Sequence, residues 1–243
     1  MTDKLILNVN NLNIAEENNS TVIKDLTFKV KKNSITTIFA PLGSGKTTSL
    51  KIINENRYSK NIQFFGKRSF YIPQHSIIPN NLTVKNVIKL YTDEVHDKKV
   101  KTILNLVGLE GYENHVPNLE SKGFLFRIAL AVGLILNADM FLLDDVFLKM
   151  KNLTKIEIFN LLLNLKKRID ITFLIASSNY TDSILVSDKI VFAKGNPFEK
   201  LFEEKIELKD ENVQLRLQSE LFLKIKDDLN KKLSDYNLRD FVL

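Results

Sequence analysis

The chain has 243 residues, enough for one large α/β domain or two small ones with a real core. It contains no cysteine, which excludes disulfides and thiolate metal sites, and its histidines (His75, His96, His115) are too scattered for a histidine metal centre. The net charge of +6 is spread over lysines interleaved with acids, so a solvated basic surface is the better reading and no nucleic-acid partner is expected.

In chain order, Leu5-Ile-Leu-Asn-Val9 predicts a first strand, followed by the polar stretch Glu16–Ser20. Val22–Val30 partly alternates apolar with polar, as a half-buried strand does. Ile35–Phe39 is short, β-branched and continuously apolar, which suits a strand buried in a parallel sheet. From about Thr83 to Leu136 the period is helical: Val84, Val87, Ile88 and Tyr91 mark one face, and Val100, Ile103, Leu104 and Val107 another, ended by Gly108. The apolar run Ile128–Leu136 is far short of the roughly 20 residues of a membrane span, so it predicts a buried helix.

Strand and helix then alternate: strand 140–143, helix 155–168, strand 172–176, helix 182–186, strand 189–192. That order implies a largely parallel sheet covered on both faces. Gly195-Asn196-Pro197 is the plausible boundary, giving a domain over 1–195, with a helical part at about 80–136, and a tail over 196–243. In the tail Val213, Leu217, Leu221, Ile225, Leu229 and Leu233 recur every fourth residue, predicting a long amphipathic helix packed on the domain. The amino-terminal residues lack the pattern of a secretory signal, so a cytoplasmic protein is expected.

The chemistry concentrates in Ala40-Pro41-Leu42-Gly43-Ser44-Gly45-Lys46-Thr47-Thr48, set between the buried strand and an apolar helix start. Glycines let successive backbone N–H groups turn inward on phosphates, and the following helix points its positive end at the same anion. Lys46 then supplies charge to the β/γ oxygens, and the Thr47 hydroxyl is a ligand for Mg²⁺. Met140-Phe-Leu-Leu-Asp144-Asp145 puts two acids at the carboxyl end of a buried strand, where open α/β sheets bind ligands. Asp144 suits the metal, and Asp145 the attacking water.

Over about residues 4–195 this arrangement resembles the ABC transporter ATPase subunits, and the tail resembles that of the nitrate/sulfonate/taurine importers. Ser69-Phe-Tyr-Ile-Pro-Gln74 looks like the strand leading to the Q-loop glutamine. Residues 77–87 are similar to the segment before the family's next helix, Val107-Gly108-Leu109 to its usual end, and Leu143-Asp-Asp-Val-Phe147 to its Walker B strand. The resemblance implies a P-loop fold of ABC type: a mainly parallel core, an antiparallel amino-terminal β part and a helical subdomain. It implies ATP and Mg²⁺ as ligands, with Gln74 near the metal or the water. The implied partners are a second ATPase subunit, membrane permease subunits and, indirectly, an extracytoplasmic solute-binding protein, the chain sitting on the inner face of the membrane.

The departures are as specific. Where the family has its Leu-Ser-Gly-Gly-Gln signature, this chain has Glu120-Ser121-Lys122-Gly123-Phe124, keeping Ser121 and Gly123 for a partner's γ-phosphate. Asp145 replaces a glutamate, Ser178 stands where a histidine is usual, and Leu148–Lys151 has no aspartate. Ile14-Ala15 falls where an aromatic usually stacks on adenine. The leading expectation is an energy-coupling ATPase subunit of an importer, with hydrolysis weakened by these changes. The alternatives are a degenerate nucleotide-binding partner or regulatory protein with negligible turnover and, weaker, an ABC ATPase acting away from membranes.

Overall fold

The computed structural model describes residues 4–15, 20–55, 60–75, 78–79, 81–92, 97–118, 121–210 and 212–236. Glu16–Asn19, Ile77, Asn80, His96 and Glu120, singled out above, and the last residues of the tail lie outside the described residues. The elements run β1 (Leu5–Ala15), β2 (Thr21–Lys31), β3 (Ile35–Phe39), α1 (Lys46–Glu55), β4 (Ile62–Phe64), β5 (Ser69–Ile72), α2 (Val84–Lys89), α3 (Asp97–Leu106) and α4 (Lys122–Ile135). They continue with β6 (Met140–Asp144), α5 (Asn152–Arg168), β7 (Thr172–Ser177), α6 (Tyr180–Val186), β8 (Lys189–Lys194), β9 (Phe198–Lys205), α7 (Val213–Gln218) and α8 (Glu220–Asp235).

Nine described strands form one sheet in the order β4-β1-β2-β9-β8-β3-β7-β6-β5. The half built from β8, β3, β7, β6 and β5 is parallel, and β1 pairs antiparallel with both β2 and β4. The central strands are apolar on both faces because both faces are covered. Met140 and Leu142 join the cluster that holds Leu50 and Ile53 of α1, whereas Phe141 and Leu143 join the opposite one with α4, α5 and α6. Phe141 is fully buried, and truncating a side chain of that kind typically costs about 3–5 kcal/mol.

The helices start and stop where chain chemistry allows. Thr83 caps α2 through the Asn86 N–H, and Asn179 caps α6 through the Asp182 N–H. Gly108, at φ +71°, takes the left-handed turn just after α3. α4 is buried nearly all round, as the apolar run 128–136 predicts.

Two departures from expectation lie beyond β8. The boundary at Gly195–Pro197 is the turn of a hairpin, and β9 enters the sheet between β8 and β2, so the sheet continues past that boundary. The tail stripe is not one helix either. Side chains spaced by four drift about 40° per step around a helix, so a long stripe of that spacing slides off its face. Ser219 breaks it, capping α8 through the Phe222 N–H. Phe222 is buried in place of Leu221, which is 43% exposed, and Leu229 and Leu233 resume the contact.

Candidate functional site

The carboxyl ends of β3, β7 and β6 lie level, with Phe39 opposite Ser177 and Asp144 opposite Ala176. Two backbone bonds continue that alignment beyond the strands: the Ala40 N–H donates to the Ser177 carbonyl at 3.2 Å, and the Asp145 N–H to the Ala176 carbonyl at 3.0 Å. The loop leaving β3, the acids ending β6 and the serines ending β7 are therefore held together by sheet register.

The loop Pro41–Gly45 turns at Gly43 (φ +74°) and Gly45 (φ +103°), conformations that a side chain would strain. It then feeds α1, whose buried face is Lys46, Ser49, Leu50 and Ile53. Thr47 and Thr48 are exposed in the first turn of that helix. The Lys46 ammonium has three donors, directed at the Ala40 carbonyl (2.9 Å), the Pro41 carbonyl (2.8 Å) and Asp145 Oδ2 (3.3 Å). Burial pulls its pKa below the ordinary lysine value, and the Asp145 carboxylate works against that pull.

Asp144 is 2% exposed and accepts two hydrogen bonds: Thr47 Oγ1 donates to Oδ1 at 2.9 Å, and the Tyr71 hydroxyl to Oδ2 at 2.7 Å. Asp145 sits at φ +46° and bridges two elements. Its Oδ1 accepts from the Ser178 N–H (3.0 Å) and the Ser178 hydroxyl (3.2 Å), while Oδ2 faces Lys46. Lys46, Asp145 and Ser178 thus form one set of contacts and Thr47, Asp144 and Tyr71 a second, the two held side by side because 46–47 and 144–145 are neighbours in the chain.

The donor set fits a metal–phosphate ligand. Ser44 Oγ is buried in the loop and has no hydrogen-bond partner among the described residues, an arrangement that costs about 1–3 kcal/mol unless a ligand completes it. Beside it stand a lysine, a helix amino terminus, and the hydroxyl–carboxylate pair Thr47–Asp144, oxygen donors of the type that Mg²⁺ takes.

Other expected residues lie elsewhere. Gln74, two residues past β5, lines an apolar cavity with Tyr91, Lys122, Phe126 and Val146, and among the described residues makes no hydrogen bond to Thr47, Asp144 or Asp145. Ser121 and Gly123 stand at the start of α4 beside a separate cavity of about 490 Å³, shared with Tyr112, Arg127, Lys149 and Lys151. Ser121 occupies the cap position of α4, yet its side chain makes no capping bond. Gly123 abuts α5: a Cβ there would stand 2.5 Å from Thr154 Cγ2. Ile14 pairs with Ile23, which pairs with Phe198, so the end of β1 lies two strands from the ring that backs the loop.

Three residues around the loop have a place at the site that the sequence does not assign to them. Tyr71 reaches Asp144 because β5 lies beside β6. Gly195 presses on the loop, where a Cβ would come within 2.6 Å of Ser44 Cα, and Phe198 lies 3.5 Å from a Cβ built on Gly45. A glycine directly after a parallel strand was the available signal for the second; the other two need the strand order.

A family model described as ABC transporter matches residues 23–147, which carry the loop, the strand to Gln74 and both acids. The spermidine/putrescine import ATP-binding protein PotA of Clostridium novyi is 31% identical over 72% of this chain and 56% of its own length. The chain thus spans little more than half of that relative. The aliphatic sulfonates import ATP-binding protein SsuB 2 of Pseudomonas syringae pv. tomato is 29% identical over 73% of this chain and 78% of its own length. Among solved structures, cbiO1 from Clostridium perfringens, part of the ABC transporter complex cbiONQ, matches with a TM-score of 0.74 at 18% identity, covering 96% of this chain and 97% of its own. A dimeric bacterial ABC transporter cassette matches at 0.69 and 21% identity, over 83% and 99%. At those identities the structural likeness speaks to the fold, which is that of the ABC ATPase cassette, and the sequence match speaks to descent: this chain belongs to the ABC transporter family.

Proposed function

We propose that the chain is the ATP-binding, energy-coupling subunit of an ABC importer and that it hydrolyses ATP at the carboxyl edge of its sheet. The observation that carries this reading is Asp145, held between Lys46 and Ser178 one residue from Asp144, at the mouth of a phosphate-type loop. Relatives named as import ATP-binding proteins support the coupling role over a partner without turnover.

In this reading the backbone of Ala40, Pro41, Gly43, Ser44 and Gly45 cradles the phosphates, with Thr48 completing the first turn of α1. Ser44 gives its unpartnered hydroxyl to a phosphate oxygen. Lys46 exchanges a loop carbonyl for the β/γ oxygens, and its charge opposes the negative charge that develops there. Thr47 and Asp144, with Gln74 as a further oxygen donor, would hold Mg²⁺, which when bound would neutralise charge on the phosphates. Asp145 orients the attacking water and accepts its proton as the water oxygen bonds to the γ-phosphorus and the bond to the β-phosphate oxygen breaks, releasing ADP and phosphate. Ser178 fixes the Asp145 oxygen that does not face Lys46.

A second ATPase subunit completes the assembly, offering Ser121 and Gly123 at the start of its α4 to the γ-phosphate held here. The permease docks near Gln74 and the helices α2–α4, so the protein works in the cytoplasm against the membrane. Among the described residues no helix is long and apolar enough to cross a membrane. The cargoes in the relatives' names belong to those systems, whose selectivity rests with permease and solute-binding protein. Mg-ATP turnover by the purified chain at high protein concentration, against Lys46→Ala, is the test. Turnover well above the variant is expected; equality with it would remove the ATPase and leave a nucleotide-binding protein.

A further inference from the structure

We infer that Tyr71 is a positioning residue for the metal site, its hydroxyl holding the Asp144 carboxylate in the orientation that Mg²⁺ requires. The inference rests on the nucleotide-binding reading above and assigns a role to a residue that the phosphate loop and the paired acids do not include.

Asp144 is almost fully buried at the end of β6, and a buried carboxylate that is to act as a metal ligand must have its plane fixed by other groups. Two donors do this here, one on each oxygen: Thr47 from α1 on Oδ1 and Tyr71 from β5 on Oδ2. They differ in kind. Thr47 lies in the exposed first turn of α1 and has its own oxygen to offer a cation, so its bond to Asp144 changes with the ligand state. Tyr71 has no such second duty. It stands opposite Leu142 in the parallel β5–β6 ladder, and Leu142 and Asp144, two apart in a strand, face the same side of the sheet. Its ring packs against the apolar cluster that includes Met140 and Leu142, which sets where the hydroxyl at its tip can reach.

The hydroxyl has a single proton, and at 2.7 Å that proton is committed to Oδ2. The carboxylate therefore keeps its plane while Thr47 turns between Asp144 and the metal. Without the tyrosine hydroxyl, Asp144 keeps only the Thr47 bond, the one that competes with the cation, and the cost falls on Mg²⁺ rather than on the phosphates, which the loop and Lys46 hold.

The experiment is a titration of Mg²⁺ into the full chain with a fluorescent, non-hydrolysable ATP analogue bound, comparing wild type, Tyr71→Phe and Asp144→Asn. Phenylalanine keeps the ring and its packing. For Tyr71→Phe the half-saturating Mg²⁺ concentration should rise about tenfold, the low end for loss of an outer-sphere partner. Affinity for the analogue in excess chelator should stay that of wild type, which a general packing defect would not allow. A shift in Asp144→Asn with none in Tyr71→Phe overturns the role of Tyr71 and leaves the metal site standing. Absence of a shift in both removes the Asp144 metal site itself, and the inference with it. A Tyr71→Phe protein that loses affinity equally with and without Mg²⁺ overturns the inference in favour of a packing role.

Discussion

Two edges of the molecule carry the residues that the motifs single out, and they are built differently. At the loop edge, Lys46 is answered by Asp145 and two loop carbonyls, Asp145 also by Ser178, and Asp144 by Thr47 and Tyr71, all within the chain, while Ser44 Oγ is a buried atom without a partner among the described residues. At the α4 edge, Ser121 occupies a cap position without making the cap bond, and the exposed Lys122, Lys149 and Lys151 surround an open cavity. A network that closes on itself is pre-organised and stiff, and its chemistry depends on this chain alone. A helix start with unanswered donors and several cations is complementary to an anion that another molecule brings.

The largest effect should come from the closed edge. Lys46→Ala is expected to lower turnover by at least about 100-fold, as loss of a charged group facing a developing anion does; a rate within a few-fold of wild type would break the contrast at once. The same lysine sets an alkaline limit. Phosphate binding needs the ammonium, so nucleotide affinity falls as pH rises through its lowered pKa, before the ordinary 10.5. Asp145 opposes that lowering, so in Asp145→Asn the fall begins at a lower pH, measurable by nucleotide titration across the alkaline range. Stability has the opposite sign: the unfolded lysine keeps its proton longer, so stability rises with pH between the two values.

The open edge should respond differently. Ser121→Ala is expected to lower turnover by up to about tenfold, the upper range for one hydrogen bond, with nucleotide affinity of the isolated chain unchanged. Turnover should also rise more steeply than linearly with protein concentration. If Ser121→Ala weakens binding as measured on the single chain, the two edges are one site and the comparison fails. Gly195→Ala probes the loop from behind. Its Cβ would stand 2.6 Å from Ser44 Cα, and relief should cost about 1–3 kcal/mol, read as a lower thermal midpoint and weaker nucleotide binding. Smallest should be Ser178→Ala, about threefold in turnover, because the Ser178 N–H still donates to Asp145.

How much the sequence reveals depends on range. Ile35–Phe39 coincides with β3, because a short β-branched and aromatic run between turns admits few alternatives. The phosphate loop and the paired acids are contiguous, so their chemistry shows in the string of letters. β4 has three residues, Ile62-Gln-Phe64, too few to display a period. β9 mixes acids and lysines with Phe198, Leu201 and Phe202, and only its place between β8 and β2 makes it a strand. Tyr71 and Phe198 reach the site through strand order, which local patterning does not encode. Ser178 is singled out by the family resemblance, where it stands at the usual histidine, but its double bond to Asp145 comes from the register of β6 and β7.

The hairpin behind the loop has a consequence for the smallest working unit. Gly195 and Phe198 form a floor under Ser44 and Gly45, and that floor continues into β9, which is stitched to β8 on one side and β2 on the other. A fragment cut at the glycine-proline turn would keep every residue of the phosphate motif and lose the surface against which the motif takes its shape.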